Sequence, residues 1–512
     1  MSAPTLTSIL AKHARSRPDT LAIACAGTGL DYAQLRADSI RLARALRAAD
    51  LDKGSRVAYL GKESVYYYAL FFACARLGAV LVPINFRLTA PEVEHIIRDS
   101  GSALVLVDAD TADIVRSAAP HVRSVRMDGD EFAGWLAVGG DPDPGEHPSG
   151  RDDAVIQLYT SGTTGLPKGV VLAQRSFFAI AEALAQAGLD WIDFRDGDRN
   201  LIGIPGFHVG GIWWAMQGFA AGITNVAMPR FDSTTAVAII EEARITTMCV
   251  VPSMLRLILG EPRVTPEAVG SVRKVVYGGS PISETLLREA LELFGAEFAQ
   301  IYGLTETGNT AICLPPAEHA AGNPRLAAAG RPYPGVSVKV IDASGAPRPP
   351  GEVGEICLRS PAAMLGYWNL PEATAETLVD GWIHTGDAGY VDADGYLYIR
   401  DRLKDMIIVG GENIYPAEIE NALARHPAVA DAAVIGVPDD ILGESVHAFV
   451  ARRPGAQVRV RELMTFCREQ LAWFKIPVRF EFVDRIPRNP SGKILRWQLR
   501  DRFWADRDRQ VN

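Results

Sequence analysis

The chain has 512 residues, 48% of them hydrophobic and 22% charged, with a formal net charge of −9. That length exceeds one ordinary domain and allows a large core, in a composition typical of soluble globular proteins. The negative charge, with no broad basic stripe, argues against a nucleic-acid binder, and six scattered cysteines without a CxxC pair suit a reducing compartment and offer no zinc spacing.

The N-terminal stretch "MSAPTLTSILAKHARSRPDT" lacks the uninterrupted apolar core of a signal peptide. Asp31 with Gln34 three residues later resembles a capping box, and Leu35, Leu42, Ala43 and Leu46 follow on one helical face. "RVAYL" and "ALVLVD" read as short buried strands. Between them lies the most apolar run, "ALFFACARLGAVLVPINF", broken by Arg76, Gly78 and Pro83. It reads as a helix followed by a buried strand, with no transmembrane segment, so the cytoplasm is the expected location.

Residues 139–153, "GGDPDPGEHPSGRDD", have the composition of a linker. The sheet pattern continues on both sides, so the stretch reads as a surface loop before the strand "AVIQLYT". Further on, "KVVYGG" reads as a strand, "SETLLREALELF" as a helix closed by Gly295, and "AEFAQIYG" as the next strand. This βαβ order implies a parallel sheet covered by helices. "RDRLKD" at 400–405 is a charged break. Beyond it about 110 residues read as hairpin, helix, strands, helix and strand, enough for a small α+β domain. The expected division is 1–401 and 402–512, in an α/β chain with no internal repeat.

The chemistry-bearing residues cluster in short segments. "LYTSGTTGLPKGVVL" combines a Gly-rich turn, whose N–H groups can converge on an anion, with hydroxyls from Thr160, Ser161, Thr163 and Thr164 and the point charge of Lys168. Taken alone it reads equally well as a polar turn. It is not the ordinary phosphate loop, which ends in Gly-Lys-Ser/Thr. Nor is there a dinucleotide fingerprint: Gly27 and Gly29 are followed by Tyr32, where a third glycine is needed.

"YGGSPI" and "QIYGLTETG" end adjacent strands, where ligands gather in open parallel sheets. Their glycines admit a flat purine, Tyr302 can stack on it, and Glu306 is a hard oxygen ligand suited to Mg²⁺. On its own, Glu306 reads as a helix N-terminal acid. Asp387, in "WIHTGDAGY", reads singly as a residue of a tight turn. Lys493, in "IPRNPSGKILR", reads singly as a solvated one.

Together, "YTSGTTGLPKG", "YGGSP", "QIYGLTETG", "HTGDAGYVDADGYLYIRDRLKDMIIVGGENIYPAEIE" and "PRNPSGKILR" resemble the adenylate-forming superfamily, in the same order and over the whole length. The chain is most similar to the acyl-CoA synthetase branch, near fatty-acid, 4-coumarate and feruloyl CoA ligases. The resemblance implies a large N-terminal domain of helix-covered sheets and a small mobile C-terminal domain. It also implies a reaction in two halves. A carboxylic acid attacks the α-phosphate of ATP, with Mg²⁺, to give an acyl-adenylate and pyrophosphate; the thiol of coenzyme A then displaces AMP. An alternative acceptor is an acyl carrier protein, and a homodimer is common among such enzymes.

By motif position the resemblance implies that Thr160, Ser161, Gly162, Thr163, Thr164 and Lys168 hold the β- and γ-phosphates. Gly279, Ser280 and Tyr302 frame the adenine, Thr305 touches the α-phosphate, and Glu306 helps hold Mg²⁺. Asp387 and Arg402 bind the ribose, and Lys493 bridges carboxylate and α-phosphate. Lys404 is the hinge, while Gly411 and Glu412 line the pantetheine tunnel after rotation. His208 gates the acyl pocket, to which Phe207, Gly210, Gly211, Trp214 and Gly278 belong. Trp473, Phe474 and Lys475 fall where relatives touch coenzyme A. Two features depart from the pattern. Ala173-Gln174 replaces the usual Thr-His after the loop, and Trp214 in "GGIWWAM" is expected either to cap or narrow the acyl pocket, favouring medium-chain or aromatic acids, with Gly210 and Gly211 leaving room nearby, or equally to pack in the core.

Overall fold

The computed structural model describes residues 4–137, 145–160, 167–280, 282–320, 322–402, 405–409, 412–439, 442–488 and 492–504, with the backbone alone at Arg402, Glu412 and Asn413. Among these, strands form four sheets. Two are large and mostly parallel. In one, the strands Arg199–Ile202, Thr247–Val250, Lys274–Gly278 and Glu297–Tyr302 run parallel at its centre. In the other, Arg56–Leu60, Val80–Ile84 and Ala154–Thr160 run parallel, and Lys168–Ala173 returns antiparallel. The helix Val65–Leu77 is buried on all faces and belongs to the core shared with both sheets. Its apolar sequence all the way round is what a central helix requires.

Local signals account for several boundaries. Asp31 accepts from the Gln34 backbone while Gln34 accepts from the Asp31 N–H, opening the helix Tyr32–Ala48. Gly295 closes the helix Glu284–Phe294 with a left-handed φ of 56°. Residues 145–153 lead into Ala154–Thr160 within the same sheet system, as the loop reading required.

A third, antiparallel sheet contains Gly354–Arg359, Trp382–Val391 and Leu397–Arg402. It corrects the reading of Asp387, which lies inside the strand Trp382–Val391 and not in a tight turn. The cause is Gly386, whose φ of +67° is accommodated within that strand. Residues 407–504 carry separate apolar clusters, one around Ile419, Val434, Val450 and Leu463 and another around Ala433, Phe449 and Leu499. Here the strands Val429–Asp439 and Gly443–Arg452 form a long antiparallel pair, joined in parallel by Arg479–Val483. The chain then adds a helix, Arg496–Trp504, that the expected element order lacked. Its buried residues, Leu499 and Trp504, stand five apart among charged ones, so no helical repeat is visible.

No helix among the described residues is long and apolar enough to cross a membrane.

Candidate active site

The hairpin Ala154–Thr160 and Lys168–Ala173 places Thr160 directly opposite Lys168, so both flank the intervening loop. Ser161, Gly162, Thr163 and Thr164 lie outside the described residues. The short strand Gly366–Tyr367 pairs with the outer side of this hairpin, Tyr367 opposite Val170. This brings in a residue that the motifs did not flag. The Tyr367 hydroxyl donates to Glu306 Oε1 at 2.8 Å, and Lys168 Nζ stands 5.2 Å from the centre of the same ring. Glu306 itself belongs to a three-residue 3₁₀ turn, Thr305–Thr307, too short for a helix-dipole role. Its carbonyl accepts from Met364 N–H at 2.8 Å, so the turn is tied at backbone and side chain. With Oε1 engaged, Oε2 is the oxygen left to face a cation. One carboxylate oxygen near the Lys168 ammonium fits Mg²⁺ carried by a nucleotide, which keeps most of its other ligands from water and phosphate.

Across the crevice, Gly278 ends its strand so close to the next one that a Cβ there would stand 2.3 Å from the Ile301 carbonyl oxygen. Its smallness therefore serves strand contact. Gly279 follows with φ +81°, and Ser280 closes the described segment. Tyr302 donates its hydroxyl to Asp387 Oδ2 at 2.7 Å, joining the end of the parallel sheet to the third sheet. Asp387 is buried and lies opposite Arg402 in the strand register. The carboxylate is thus fixed in place, next to a cationic residue whose side chain lies outside the described atoms.

Lys493 belongs to the C-terminal segment, and its neighbour Gly492 packs against the large domain. A Cβ on its neighbour Gly492 would lie 2.4 Å from Ser253 Oγ and 3.5 Å from Val251 Cγ2, while one on Gly279 would lie 3.4 Å from Val251 Cγ1. One valine side chain therefore separates the lysine turn from the Gly279 turn. Arg488 braces the lysine turn by donating to the Gly492 carbonyl at 2.7 Å, and Asp431 holds that guanidinium through both its oxygens. From the large domain, Arg256 donates to the Ala430 carbonyl at 2.9 Å. Lys404 and Gly411 lie outside the described residues, as does the side chain of Glu412.

The expected acyl-pocket residues divide. His208 precedes the helix Val209–Ala221, packs on Phe207 at 4.6 Å between ring centres, and leaves Nε2 buried without a partner among the described residues. Burial, then the nearby Arg87 charge, lowers its pKa to about 4, so the ring is neutral at physiological pH. Gly206, two residues earlier, is clamped: Glu63 accepts its N–H at 2.7 Å and the Tyr67 hydroxyl donates to its carbonyl at 2.9 Å. Two expectations change. Gly211 leaves no room for substrate, because a Cβ there would stand 2.2 Å from the Ile204 carbonyl; its smallness serves the helix entry. Trp214 is 1% exposed, donates its indole N–H to the Leu201 carbonyl at 3.2 Å, and packs on Phe194 and Trp213. It is a core residue, not a pocket cap. A Cβ on Gly210 would meet only ordinary contacts, Asn309 Oδ1 at 3.5 Å and Ile204 Cδ1 at 3.6 Å, so this glycine is not locked as Gly211 is.

Gln174 is also explained locally. Its side-chain oxygen accepts from the Leu6 N–H at 3.0 Å, so it anchors the first helix. On the far domain Trp473 is 83% exposed, whereas Lys475 is paired with Glu418 at 2.7 Å.

Residues 10–368 match the AMP-binding enzyme family, and 418–493 match the AMP-binding enzyme C-terminal domain. A fatty acid–[acyl-carrier-protein] ligase of Streptomyces coeruleorubidus is 60% identical, over 99% of this chain and 98% of the relative. A feruloyl-CoA synthase of an Amycolatopsis species is 40% identical, over 96% and 98%. The fold superposes on ATP-bound MatB from Rhodopseudomonas palustris with a TM-score of 0.88 at 32% identity, covering 98% of this chain and 99% of that one. The chain belongs to the AMP-binding enzyme family and is an AMP-forming acid–thiol ligase of its acyl-CoA synthetase branch.

Proposed function

We propose that this ligase activates a fatty acid as its acyl-adenylate and passes the acyl group to a phosphopantetheine thiol. In the first half, a carboxylate oxygen bonds to the α-phosphorus of ATP and the bond to pyrophosphate breaks. In the second, the thiolate attacks the acyl carbon and AMP leaves. The observation that carries this reading is the single valine, Val251, between the turns of Gly279 and Gly492. A nucleotide framed by Gly279 and held at the ribose by Asp387 would bring its α-phosphate to the lysine turn.

Negative charge builds on the α-phosphoryl group and the departing pyrophosphate, so the site works by positioning and electrostatics. Lys168 would take the leaving phosphates, with Thr160 beside it. Glu306 Oε2 would hold Mg²⁺, which supplies charge neutralisation on the phosphates when bound. Lys493 would bridge the carboxylate and the α-phosphate. The neutral His208 and its clamped loop would border the acid.

The acceptor has two readings, each with its own support. A carrier protein is favoured by the relative that is 60% identical over nearly the whole chain, and free coenzyme A by the feruloyl-CoA synthase at 40%. Both present the same thiol, and six buried free cysteines suit the reducing cytoplasm in which we place the enzyme. The test is pyrophosphate release over a series of fatty and aromatic acids, followed by transfer to coenzyme A and to a holo acyl carrier protein in parallel. Release with fatty acids and faster transfer to the carrier protein supports the first acceptor; the reverse order supports the second. No release with any acid, or formation of ADP, would overturn the adenylation reading.

A further inference from the structure

On one face of the third sheet a thiol, an imidazole and a carboxylate meet. Cys357 lies directly opposite His384 in the strand register, and Glu355, two residues before Cys357, projects to the same side. His384 Nδ1 donates to Glu355 Oε2 at 3.0 Å. Among the described residues, this is the one group in which three histidine, cysteine or carboxylate ligand atoms lie within 4.8 Å of one another.

The group is open to solvent on one side and held in place on the other. The Glu355 and His384 side chains are 23% and 26% exposed, while Cys357 is fully buried. An ion arriving from water therefore meets the carboxylate and the imidazole first and the sulfur behind them. Glu355 Oε1 accepts from the Gly386 N–H at 3.2 Å, which keeps Oε2 turned to the imidazole. Two neighbouring cations on this face are engaged elsewhere: Lys339 and Arg359 stack on the Trp382 ring, at 4.6 and 4.5 Å from its centre. A hydrogen-bonded pair alone would explain Glu355 and His384. The sulfur beside them makes a set of hard, intermediate and soft donors.

That set selects among cations. Zn²⁺ bonds sulfur at about 2.3 Å and nitrogen or oxygen at about 2.0–2.2 Å, so its tetrahedral ligand atoms stand about 3.3–3.6 Å apart. The triad reaches that spacing with modest side-chain movement. Mg²⁺ prefers oxygen ligands and gains nothing from a thiol.

We propose that Glu355, Cys357 and His384 bind one thiophilic divalent cation, of the Zn²⁺ class, with water in the fourth position. On binding, the thiol proton passes to solvent and the imidazole proton moves from Nδ1 to Nε2, so that thiolate, Nδ1 and carboxylate face the ion. The ligands come from two separate strands, which is why cysteine spacing carries no zinc signal. The assignment stands on the third sheet and is independent of the acid-activation reading.

The test uses the full chain stripped of metal, with Co²⁺ as a coloured stand-in for Zn²⁺. Co²⁺ should give a thiolate-to-metal absorption band in the near ultraviolet. Zn²⁺ should displace it, and excess Mg²⁺ should not. Cys357→Ala should remove the band and raise the Zn²⁺ Kd, read against a chromophoric chelator, by about 100-fold, the scale on which disturbing one ligand weakens a metal site. Cys249→Ala, at a buried cysteine of the parallel sheet, should leave both unchanged. His384→Ala, at the exposed rim, should weaken Zn²⁺ as Cys357→Ala does, and it decides the question if the buried cysteine does not tolerate replacement. Absence of a thiolate band in the unmodified protein overturns the inference. So does a Zn²⁺ Kd that neither the Cys357 nor the His384 substitution alters.

Discussion

The Tyr367 hydroxyl donates to Glu306 Oε1 at 2.8 Å while Lys168 Nζ stands 5.2 Å from the centre of the tyrosine ring. One side chain thereby fixes both the acid and the cation of the proposed phosphate clamp. Tyr367→Phe keeps the ring beside Lys168 but releases the carboxylate to rotate. Affinity for Mg-ATP should fall about tenfold, the value of one charge-assisted hydrogen bond. Affinity for AMP, which lacks the phosphates at stake, should not move. Calorimetric titration of both nucleotides reads the difference, and equal Mg-ATP affinities would mean that the bond orients nothing.

Gly492, next to Lys493, lies against Ser253 and Val251 of the large domain. If the small domain turns away for thioester formation, the lysine leaves with it. Lys493→Ala should therefore lower acyl-adenylate formation by about 10²-fold or more, as for loss of a transition-state charge contact. Thioester formation from supplied acyl-adenylate should be largely spared. Separate assays of the two half-reactions decide the matter; equal losses in both contradict a role confined to adenylation.

Lys168, Glu306 and Lys493 are legible as candidates because their segments occur together in the family's order, although Glu306 and Lys493 read singly as ordinary polar residues. Tyr367 is not, since its strand is two residues long and its partners lie about 200 and 61 positions away in the chain. Asp387 is legible as a candidate site residue but not as a strand residue, because Gly386 mimics a turn. Trp214 shows the opposite failure. Apolar periodicity marks a buried face without saying whether a neighbouring side chain or a substrate covers it.

The position of Trp214 changes what its replacement should do. Its ring is buried against Phe194 and Trp213, and its N–H is bonded to Leu201. Trp214→Ala should open a cavity and destabilise the large domain by about 3–5 kcal/mol. Preference among acids of different chain length should change little in the protein that remains folded. Denaturant melts and an acid series measure the two effects; broadened chain tolerance at unaltered stability would restore the pocket-cap reading.

Glu63 gives a pH test of the clamp on the His208 loop. Its carboxylate accepts from Gly206 N–H at 2.7 Å and from the Tyr68 hydroxyl at 2.5 Å. Burial outweighs both bonds and raises its pKa from 4.5 to about 7. Between these values the folded state binds more protons than the unfolded state, so this group's contribution falls as pH rises through the window. Above the folded value the loss is complete, at about 3 kcal/mol. Glu63→Gln retains an acceptor for Gly206 but cannot titrate. Buried histidines such as His208 and His319, whose lowered pKa values act in the opposite direction, are common to both proteins and cancel in the comparison. The stability of the unmodified protein relative to Glu63→Gln should therefore decline from pH 4.5 to 7 and level off above it. Parallel stability curves across that range would mean that Glu63 stays charged throughout and that the Gly206 clamp is ionic at every working pH.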